Sequence, residues 1–483
     1  MKHNYKIIIA CLLLLIMTGQ SGCRKLVEPD ASTEKIGVEN VYANDKTAAS
    51  VLTRLFANLA TISEGWNGYP LILATCADDL KLGATISTGT QNIYFNSLPN
   101  DPTIWWTESY KHIYTTNDAI EQLMISEGVS PTVKNLLMGE AKFARAFVYF
   151  NLINTYGDVP LALSTDYRVN MNLGRAPVTD IYNQIVSDLL EAKALLSDQY
   201  LGANMLPGTA VDRVRPTKAV AAALLARVYL YTGEYAKAEA EATEIINNPL
   251  YGFIELNNVF LKNSKETIWQ LPALNTSINS QDGIALILRK ENGYPNGPTP
   301  TTPFLASDYL MNAFETGDLR KTKWIGDSSG FKFINKYKIW ETGKPITEAI
   351  MMLRLGEQYL IRAEARINQD KMADGIDDLN ALRKRARGSN PGDLPDLSKS
   401  LSKTDALKAV AHERQVELFT EWGHRWFDLK RTKKIDEVMK IVTPVKSNNT
   451  VQWEPFRALF PILIGEINGS PGMTGHQNPG YPG

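Results

Sequence analysis

Residues 412–431, HERQVELFTEWGHRWFDLKR, form the most informative stretch of this chain. Glu413, Glu417 and Glu421 recur every four residues and therefore share one face of a helix. Three arginines of the same stretch stand close by. Opposite charges at such spacings favour ion pairs within and between helices. A glycosidase also needs two carboxylates facing one bond, so glycoside hydrolysis by helix or loop carboxylates stays an alternative.

Amphipathic patterns extend from this stretch towards both ends of the chain. Apolar residues recur at spacings of three and four in 45–63, 103–124 and 133–156, and again from the possible N-cap Thr179 to Leu196. Stripes of this width suit packing on other helices. The pattern predicts a mainly α-helical fold.

Two segments resemble each other as helix–turn–helix units. In 216–249, LLARVYLYTGEYAKAEAEATEIINNP places small residues before and after the turn at Gly233, and LIRAEARINQDKMADGIDDLNAL in 353–387 repeats those offsets. Small residues on facing helices allow the close approach seen in tetratricopeptide repeats. We expect about four such helix pairs, with two further ones at about 133–196 and 404–439.

Two long segments, about 65–101 and 253–345, do not follow the helical pattern. They are rich in Gly, Pro, Asn and Thr, and short runs such as TIWQL and FKFINKYKI favour strands. Loops this long inside a folded chain are uncommon and usually functional. We therefore expect a single folded body over 23–483, with these irregular regions on its ligand side.

The charge balance excludes one large class of partner. The 483 residues include 51 Lys and Arg against 52 Asp and Glu, a formal net charge of −1. Nucleic-acid binding needs a basic surplus to neutralise phosphates, and none is present. Three cysteines do not make a disulfide framework, so packing must hold the fold.

The first 22 residues resemble a bacterial lipoprotein signal peptide. Lys2 and Lys6 precede an unbroken apolar run from Ile7 to Met17, which is too short to span a bilayer. Small residues then lead to Cys23. We expect cleavage of 1–22 and acylation of Cys23, which would anchor the mature chain in a membrane.

The chain carries no recognisable catalytic or cofactor motif. Patterns such as GxSxG, GxGxxG, the phosphate loop and the EF-hand are absent from the sequence. No Cys or His spacing indicates a metal site. We therefore predict no catalytic residues, no cofactor and no metal.

Aromatic residues in polar, turn-rich segments are the strongest candidates for ligand contacts. Aromatic faces suit the apolar face of a sugar, while amides and carboxylates suit its hydroxyl groups. Each ring could equally serve only to hold its own loop. The predicted stacking residues are Trp66, Tyr69, Tyr94, Tyr294 and Trp324. The predicted hydrogen-bonding residues are Asp78, Asp79, Asn92 and Asn96.

Several segments together resemble one known family along the whole mature chain. They are CRKLVEP at 23–29, the helix stripe from Trp106 to Asn117, YGDVP at 156–160, residues 412–431 and QNPGY at 477–481. These segments are similar to the SusD/RagB lipoproteins of Bacteroidetes. Leu463 departs from that pattern, which usually has a proline there.

The resemblance implies a helical, tetratricopeptide-containing glycan-binding protein that is not an enzyme. It implies anchoring in the outer membrane at the cell surface, above a TonB-dependent porin that receives the oligosaccharide. It also implies that the 412–431 stretch holds the fold together rather than forming a site. A tetratricopeptide scaffold for peptides stays a further alternative.

Overall fold

The structure is a computed structural model that describes residues 41–63, 68–98, 105–208, 211–273, 277–289 and 297–482. The predicted signal peptide, its acylated Cys23 and the predicted ligand residues Trp66 and Tyr294 lie outside the described residues. Within the described ranges, no helix is both long enough and apolar enough to cross a membrane.

The predicted mainly α-helical fold is confirmed. The described residues form eighteen α-helices: α1 (Asp45–Ser63), α2 (Tyr69–Cys76), α3 (Thr88–Tyr94), α4 (Trp106–Ile125), α5 (Pro131–Tyr156), α6 (Tyr167–Asn170), α7 (Val178–Leu195), α8 (Lys218–Tyr231), α9 (Tyr235–Ile246), α10 (Gln281–Leu286), α11 (Asp308–Ala313), α12 (Arg320–Lys323), α13 (Leu355–Asn368), α14 (Met372–Ala386), α15 (Lys403–Leu418), α16 (His424–Arg431), α17 (Ile435–Lys446) and α18 (Ile464–Gly469).

Six of these helices pack in succession as three pairs. Helix α5 packs on α7, α8 on α9, and α13 on α14, and each pair contacts the next. Small residues set the spacing, because a Cβ added at Gly375 of α14 would lie 2.6 Å from the Ile367 side chain of α13. The fourth predicted pair, at about 404–439, is a run of three helices, α15 to α17.

The irregular regions contain short elements that periodicity does not predict. Helix α2 falls inside 65–101, and all eight of its residues are buried. A helix that is apolar all round has no amphipathic stripe, so its sequence carries no period. The described strands form three two-stranded antiparallel sheets: β1 (Leu80–Leu82) with β3 (Phe304–Ala306), β2 (Thr267–Leu271) with β6 (Ile350–Arg354), and β4 (Ile325–Ser328) with β5 (Phe331–Ile334).

Two large hydrophobic clusters fill the interior. The first joins α1, α4, α5, α7, α8 and α9, and it contains Trp269 of β2, whose ring meets Phe143 and Phe147 edge-on. The second lies under the irregular region and contains Tyr94, Trp324 and Phe419. The 412–431 stretch contributes to both clusters and so joins the helical frame to the irregular part.

Candidate functional site

A tight turn between α15 and α16 orders the middle of the 412–431 stretch. Thr420 and Trp422 have φ values of 58° and 43°, which residues with a Cβ rarely adopt. Gly423, at φ 69°, could not carry a side chain because its Cβ would lie 2.3 Å from Leu73. The turn is held by the Trp422 indole N–H, which donates to the Met351 carbonyl at 2.7 Å.

The carboxylates before this turn belong to a buried ionic cluster. Glu417 is fully buried and accepts from Arg354 at 2.5 Å, Arg385 at 2.5 Å and Arg320 at 3.1 Å. The cluster, called the Glu417 cluster below, contains Glu266, Asp318, Glu413, Glu417, Glu421, Arg320, Lys336, Arg354, Arg383 and Arg385. The sequence-based prediction of ion pairs between helices thus describes these glutamates correctly.

The electrostatics of the Glu417 cluster do not suit acid–base catalysis. Burial alone would raise the pKa of Glu417, but the adjacent guanidinium groups of Arg385, Arg354 and Arg320 outweigh burial and hold the pKa well below its usual range. A general acid must hold a proton near neutral pH. Glu417 is instead an ionised acceptor whose oxygens are already occupied.

One group of side chains has the donor chemistry of a cation site. Ligand atoms of Glu315, His412 and Glu413 lie within 4.8 Å of one another. Both carboxylates, however, already accept from Arg383 at 2.6 Å. A positively charged guanidinium therefore occupies the position that favours a cation, so these residues suit an ion pair better than a metal.

Three predicted ligand residues are buried in the hydrophobic clusters. Tyr69 is 1% exposed, and its hydroxyl donates to the Asn151 carbonyl at 2.9 Å. Trp324 is 0% exposed, and its indole N–H donates to the Leu256 carbonyl at 2.9 Å. Tyr94 is buried beside Phe304. Each ring thus has a packing role, and none presents a free face for stacking in this conformation.

The predicted hydrogen-bonding residues divide between buried and accessible positions. Asp78 pairs with Arg425 through two contacts of 2.7 Å. Asn96 is buried, donates to the Cys76 carbonyl and accepts from Thr443. Asn92 is partly exposed. Asn92 is therefore accessible to a ligand. Ligand contacts by Asp78 and Asn96 stay predictions, and the burial of these two residues does not support them.

Asp79 differs from its neighbour because one of its oxygens has no partner among the described residues. Its Oδ2 accepts from the Thr420 backbone at 3.1 Å, while the buried Oδ1 accepts no hydrogen bond. Burial, and then the negative charge of Asp78, raise the pKa of Asp79 to about 7. Asp79 therefore titrates near neutral pH in the interior.

Two exposed tyrosine rings lie elsewhere, in a groove between α4, the chain 160–173 and the C-terminal segment. Its volume is about 450 Å³, and we call it the aromatic groove. Tyr114 is 55% exposed and Tyr167 is 71% exposed, while Tyr110 and Trp106 lie deeper. Polar groups at the groove include Asn117, Ser164, Thr165, Asn170, Glu466 and Ser470.

Buried polar contacts hold the walls of the aromatic groove in place. The Tyr110 hydroxyl donates to the Pro160 carbonyl at 2.8 Å. Asn117 donates to the Ala162 carbonyl at 3.1 Å and accepts from Arg145 at 2.9 Å. Since α4 and the 160–173 chain are thus tied together, the exposed rings sit on a fixed frame.

Sequence reasoning missed Tyr114 and Tyr167. Tyr114 lies on a clear helix, where rings are assigned to packing by default, although it falls off the buried stripe of Ile113 and Asn117. Tyr167 lies in the polar connector between α5 and α7, and the rule applied to the other loop aromatics would have selected it.

Comparisons with known proteins agree with this architecture. Residues 81–230 match a family model described as SusD-like, starch-binding and associating with the outer membrane. Residues 320–481 match the model of the SusD family. Two similar proteins of Formosa agariphila are SusD-like protein P2, 27% identical, and SusD-like protein P38, 25% identical. The alignments cover 90% and 91% of this chain, and 92% and 94% of those proteins.

Solved structures share the fold. A laminarin-binding SusD-like protein matches with a TM-score of 0.69 and 24% identity, over 90% of this chain and 99% of that one. Surface glycan-binding protein A of Bacteroides thetaiotaomicron, in complex with laminarihexaose, matches with a TM-score of 0.72 and 19% identity, over 90% and 99%. These descriptions name binding rather than catalysis. Because two models of this family match separate segments, 81–230 and 320–481, and SusD-like protein P2 aligns over 90% of this chain, the chain belongs to the SusD/RagB family.

Proposed function

We propose that this chain binds oligosaccharides without modifying them and delivers them to a TonB-dependent outer-membrane transporter. The observation that carries the proposal is a pair of exposed tyrosine rings, Tyr114 and Tyr167, on a rigid groove in a member of a family described as starch-binding. The laminarin-binding and laminarihexaose-bound proteins of the same fold support glucans as the first ligands to test.

The chemistry of the aromatic groove suits an uncharged sugar chain. Tyrosine combines an apolar ring with a polar tip, so it can cover the C–H face of a sugar and also bond a hydroxyl group. A volume of about 450 Å³ lies within the range of small-ligand sites. Asn170 adds a buried Oδ1 that accepts no bond from the described residues and is available to a hydroxyl group.

Binding without catalysis is supported by the state of the carboxylates. Glu413, Glu417 and Glu421 are occupied by arginine and lysine side chains. Asp78 is paired with Arg425, and Asp79 is buried. A glycosidase needs two carboxyl groups that reach one glycosidic bond, and these groups are already engaged inside the protein or closed off from ligand.

The proposal also includes a lipid anchor on Cys23 and a transporter as partner. Acylation of Cys23 would hold the protein at the outer membrane, where the family model places its members. A stable partner would be a barrel-sized membrane protein that copurifies with the acylated chain. We expect the acylated chain, purified from membranes, to carry this barrel-sized protein with it. Deletion of the transporter gene should remove the copurifying protein and leave the chain at the membrane.

The binding test compares the groove with the predicted loop residues. We expect Tyr114→Ala and Tyr167→Ala each to weaken laminarihexaose binding roughly three- to tenfold in calorimetry, because each removes one stacking face. Met124→Ala is the matched control, since Met124 is 70% exposed on the same helix but does not line the groove. Trp66→Ala and Tyr294→Ala test the loop prediction in parallel.

The outcomes separate the alternatives. Loss of affinity only in the Trp66 and Tyr294 variants would move the site to the loops and overturn the groove. Steady release of reducing ends by the purified protein would contradict non-catalytic binding. Failure to bind laminarihexaose, maltohexaose or any other neutral glycan on an array would contradict the proposed function itself.

A further inference from the structure

A second cavity, of about 680 Å³, lies where three separate segments of the chain meet. The segments are the YGDVP turn after α5, the end of α16 and the C-terminal 477–479. Lys430 and Arg431 face it from α16, and Tyr231 faces it from α8. We call it the Lys430 cavity.

Lys430 has no counter-ion in the part of the chain that the structure describes. Its ammonium group donates to the Asn154 carbonyl at 2.5 Å, and no carboxylate of the described residues lies within 4.0 Å of it. Burying a charge without a partner lowers the free energy of unfolding. A bound anionic ligand would supply the missing counter-charge. Burial lowers the pKa of Lys430 to about 7.

Other charges near the cavity leave one positive charge in excess. Arg431 is neutralised by Glu364 and shares Asp428 with Arg414. Arg175 bonds to neutral groups, at 2.7 Å to the Asp158 carbonyl and 2.6 Å to Asn478 Oδ1. The carboxylate of Asp158 offsets Arg175 at longer range, as its effect on the pKa of Arg175 indicates. The surplus therefore resides at Lys430, and one anionic group would balance it.

The Lys430 cavity also contains an unpartnered hydrogen-bond donor. The Tyr231 hydroxyl is buried and has no partner among the described residues, although it lines the cavity. A carboxylate bound in the cavity could accept a charge-assisted hydrogen bond from Lys430, and such bonds are stronger than neutral ones. The side-chain amides of Gln477 and Asn478 also line the cavity, but their hydrogen bonds to Ile462, Tyr156, Phe460 and Arg175 hold the cavity wall in place.

We propose that the Lys430 cavity binds the carboxylate of a uronic-acid-containing saccharide, at a site separate from the aromatic groove. The inference rests on the proposed glycan-binding function and extends it to acidic sugars. Cavity size, a single excess charge and the unpartnered Tyr231 hydroxyl together fit a singly charged sugar unit.

Binding at this site depends on pH in a defined direction. A bound carboxylate favours charged Lys430, so affinity is full below about pH 7 and falls by up to about tenfold per pH unit above it. The groups that face Lys430 or the cavity around it are the Asn154 carbonyl, Asp158, Arg175, Tyr182, Tyr231, Asn478 and, on its own helix, Phe427, Asp428 and Arg431.

The experiment measures binding of trigalacturonate and of neutral laminarihexaose to the purified protein at pH 6 and pH 8.5. We expect Lys430→Met to weaken trigalacturonate binding at least tenfold at pH 6, with laminarihexaose binding unchanged. Lys430→Arg should retain most of the affinity and lose its pH dependence, and Tyr231→Phe should weaken binding several-fold. Thermal melting of each variant checks that the fold is intact.

Each alternative outcome has one meaning. Laminarihexaose binding without trigalacturonate binding, or trigalacturonate binding unaffected by Lys430→Met, overturns this inference and leaves the proposed function standing. Binding of neither saccharide overturns this inference, and it overturns the proposed function as well if no neutral glycan on the array binds. A glutamate hexapeptide serves as the test for an acidic protein partner. If it binds in a Lys430-dependent way and trigalacturonate does not, the cavity is assigned to such a partner and the proposed saccharide ligand is overturned.

Discussion

The 412–431 stretch supplies charges to two regions that use them in opposite ways. In the Glu417 cluster, every carboxylate contacts a cation and every cation contacts a carboxylate. In the Lys430 cavity, thirteen residues further along the chain, the lysine has a backbone carbonyl as its only hydrogen-bond partner among the described residues. A charged residue of the 412–431 stretch can therefore hold the fold or be available to a ligand, depending on whether the fold supplies its counter-ion.

The largest expected effect comes from breaking the Glu417 cluster. Glu417→Gln keeps the size of the side chain but leaves Arg320, Arg354 and Arg385 short of one negative charge in the interior. Removing one partner of a buried pair typically costs about 3–5 kcal/mol. We expect the free energy of unfolding, measured with urea, to fall by about that amount.

A surface pair provides the matched control for Glu417→Gln. Glu437 pairs with Lys434 at 2.7 Å, and its side chain is 68% exposed. Glu437→Gln should change the free energy of unfolding by less than about 0.5 kcal/mol. Equal effects of the two substitutions would contradict a structural role for the cluster.

Asp79 is an intermediate case, a carboxylate next to paired charges that forms no ion pair with the described residues. In the folded protein Asp79 keeps its proton up to about pH 7, whereas in the unfolded chain Asp79 releases it near pH 3.8. The group therefore lowers stability as pH rises from about 4 to about 7. We expect Asp79→Asn to raise the free energy of unfolding at pH 8, by on the order of 2–4 kcal/mol, and to do little at pH 4.

The control for Asp79→Asn is its neighbour. Asp78→Asn breaks the two contacts with Arg425 and should destabilise the protein at pH 8. Laminarihexaose affinity is measured on both variants. A loss of affinity in Asp79→Asn without a change in stability would show that Asp79 contacts ligand, as the sequence predicted.

The smallest expected effect concerns the stability contribution of Lys430. Lys430→Met removes a partly buried, unpaired charge while keeping an unbranched side chain. We expect the free energy of unfolding at pH 6 to be unchanged or higher by up to about 1 kcal/mol. Because the pKa of Lys430 is lowered, this gain should fade as pH rises above about 7.

Arg431, next to Lys430 in the sequence, provides the comparison for Lys430→Met. Arg431→Met would leave Glu364 and Asp428 without one of their cations and should clearly destabilise the protein. A loss of stability in Lys430→Met as large as in Arg431→Met would contradict the contrast between the two regions.

Much of the helical frame was predictable because its signal is local. Helix α1 spans Asp45–Ser63, the range that apolar spacing indicates, since one face packs and the other meets water. Helix α2 was not predictable, because its eight residues are all buried and leave no period. The 404–439 pair became three helices because of the turn at Thr420 and Trp422, whose positive φ values carry no simple residue signature.

The candidate site was less predictable than the frame. Trp324 has polar neighbours in the sequence, yet it is fully buried under Phe260 and Phe419. Tyr114 has a helical pattern around it and is exposed. Exposure of a ring depends on which distant segment covers it, and neighbouring residues in sequence do not report that.

The sequence by itself determined the helical class, the repeated helix pairs, the family signature and the prediction that the 412–431 glutamates form ion pairs. These features follow from residue spacing and from motifs read along the chain. Which rings face solvent, and which charges lack a partner among the described residues, became visible only in the folded structure. Those properties depend on contacts such as Arg354 with Glu417 and Lys430 with Asn154, which join residues 63 and 276 positions apart. Folding alone brings such residues together.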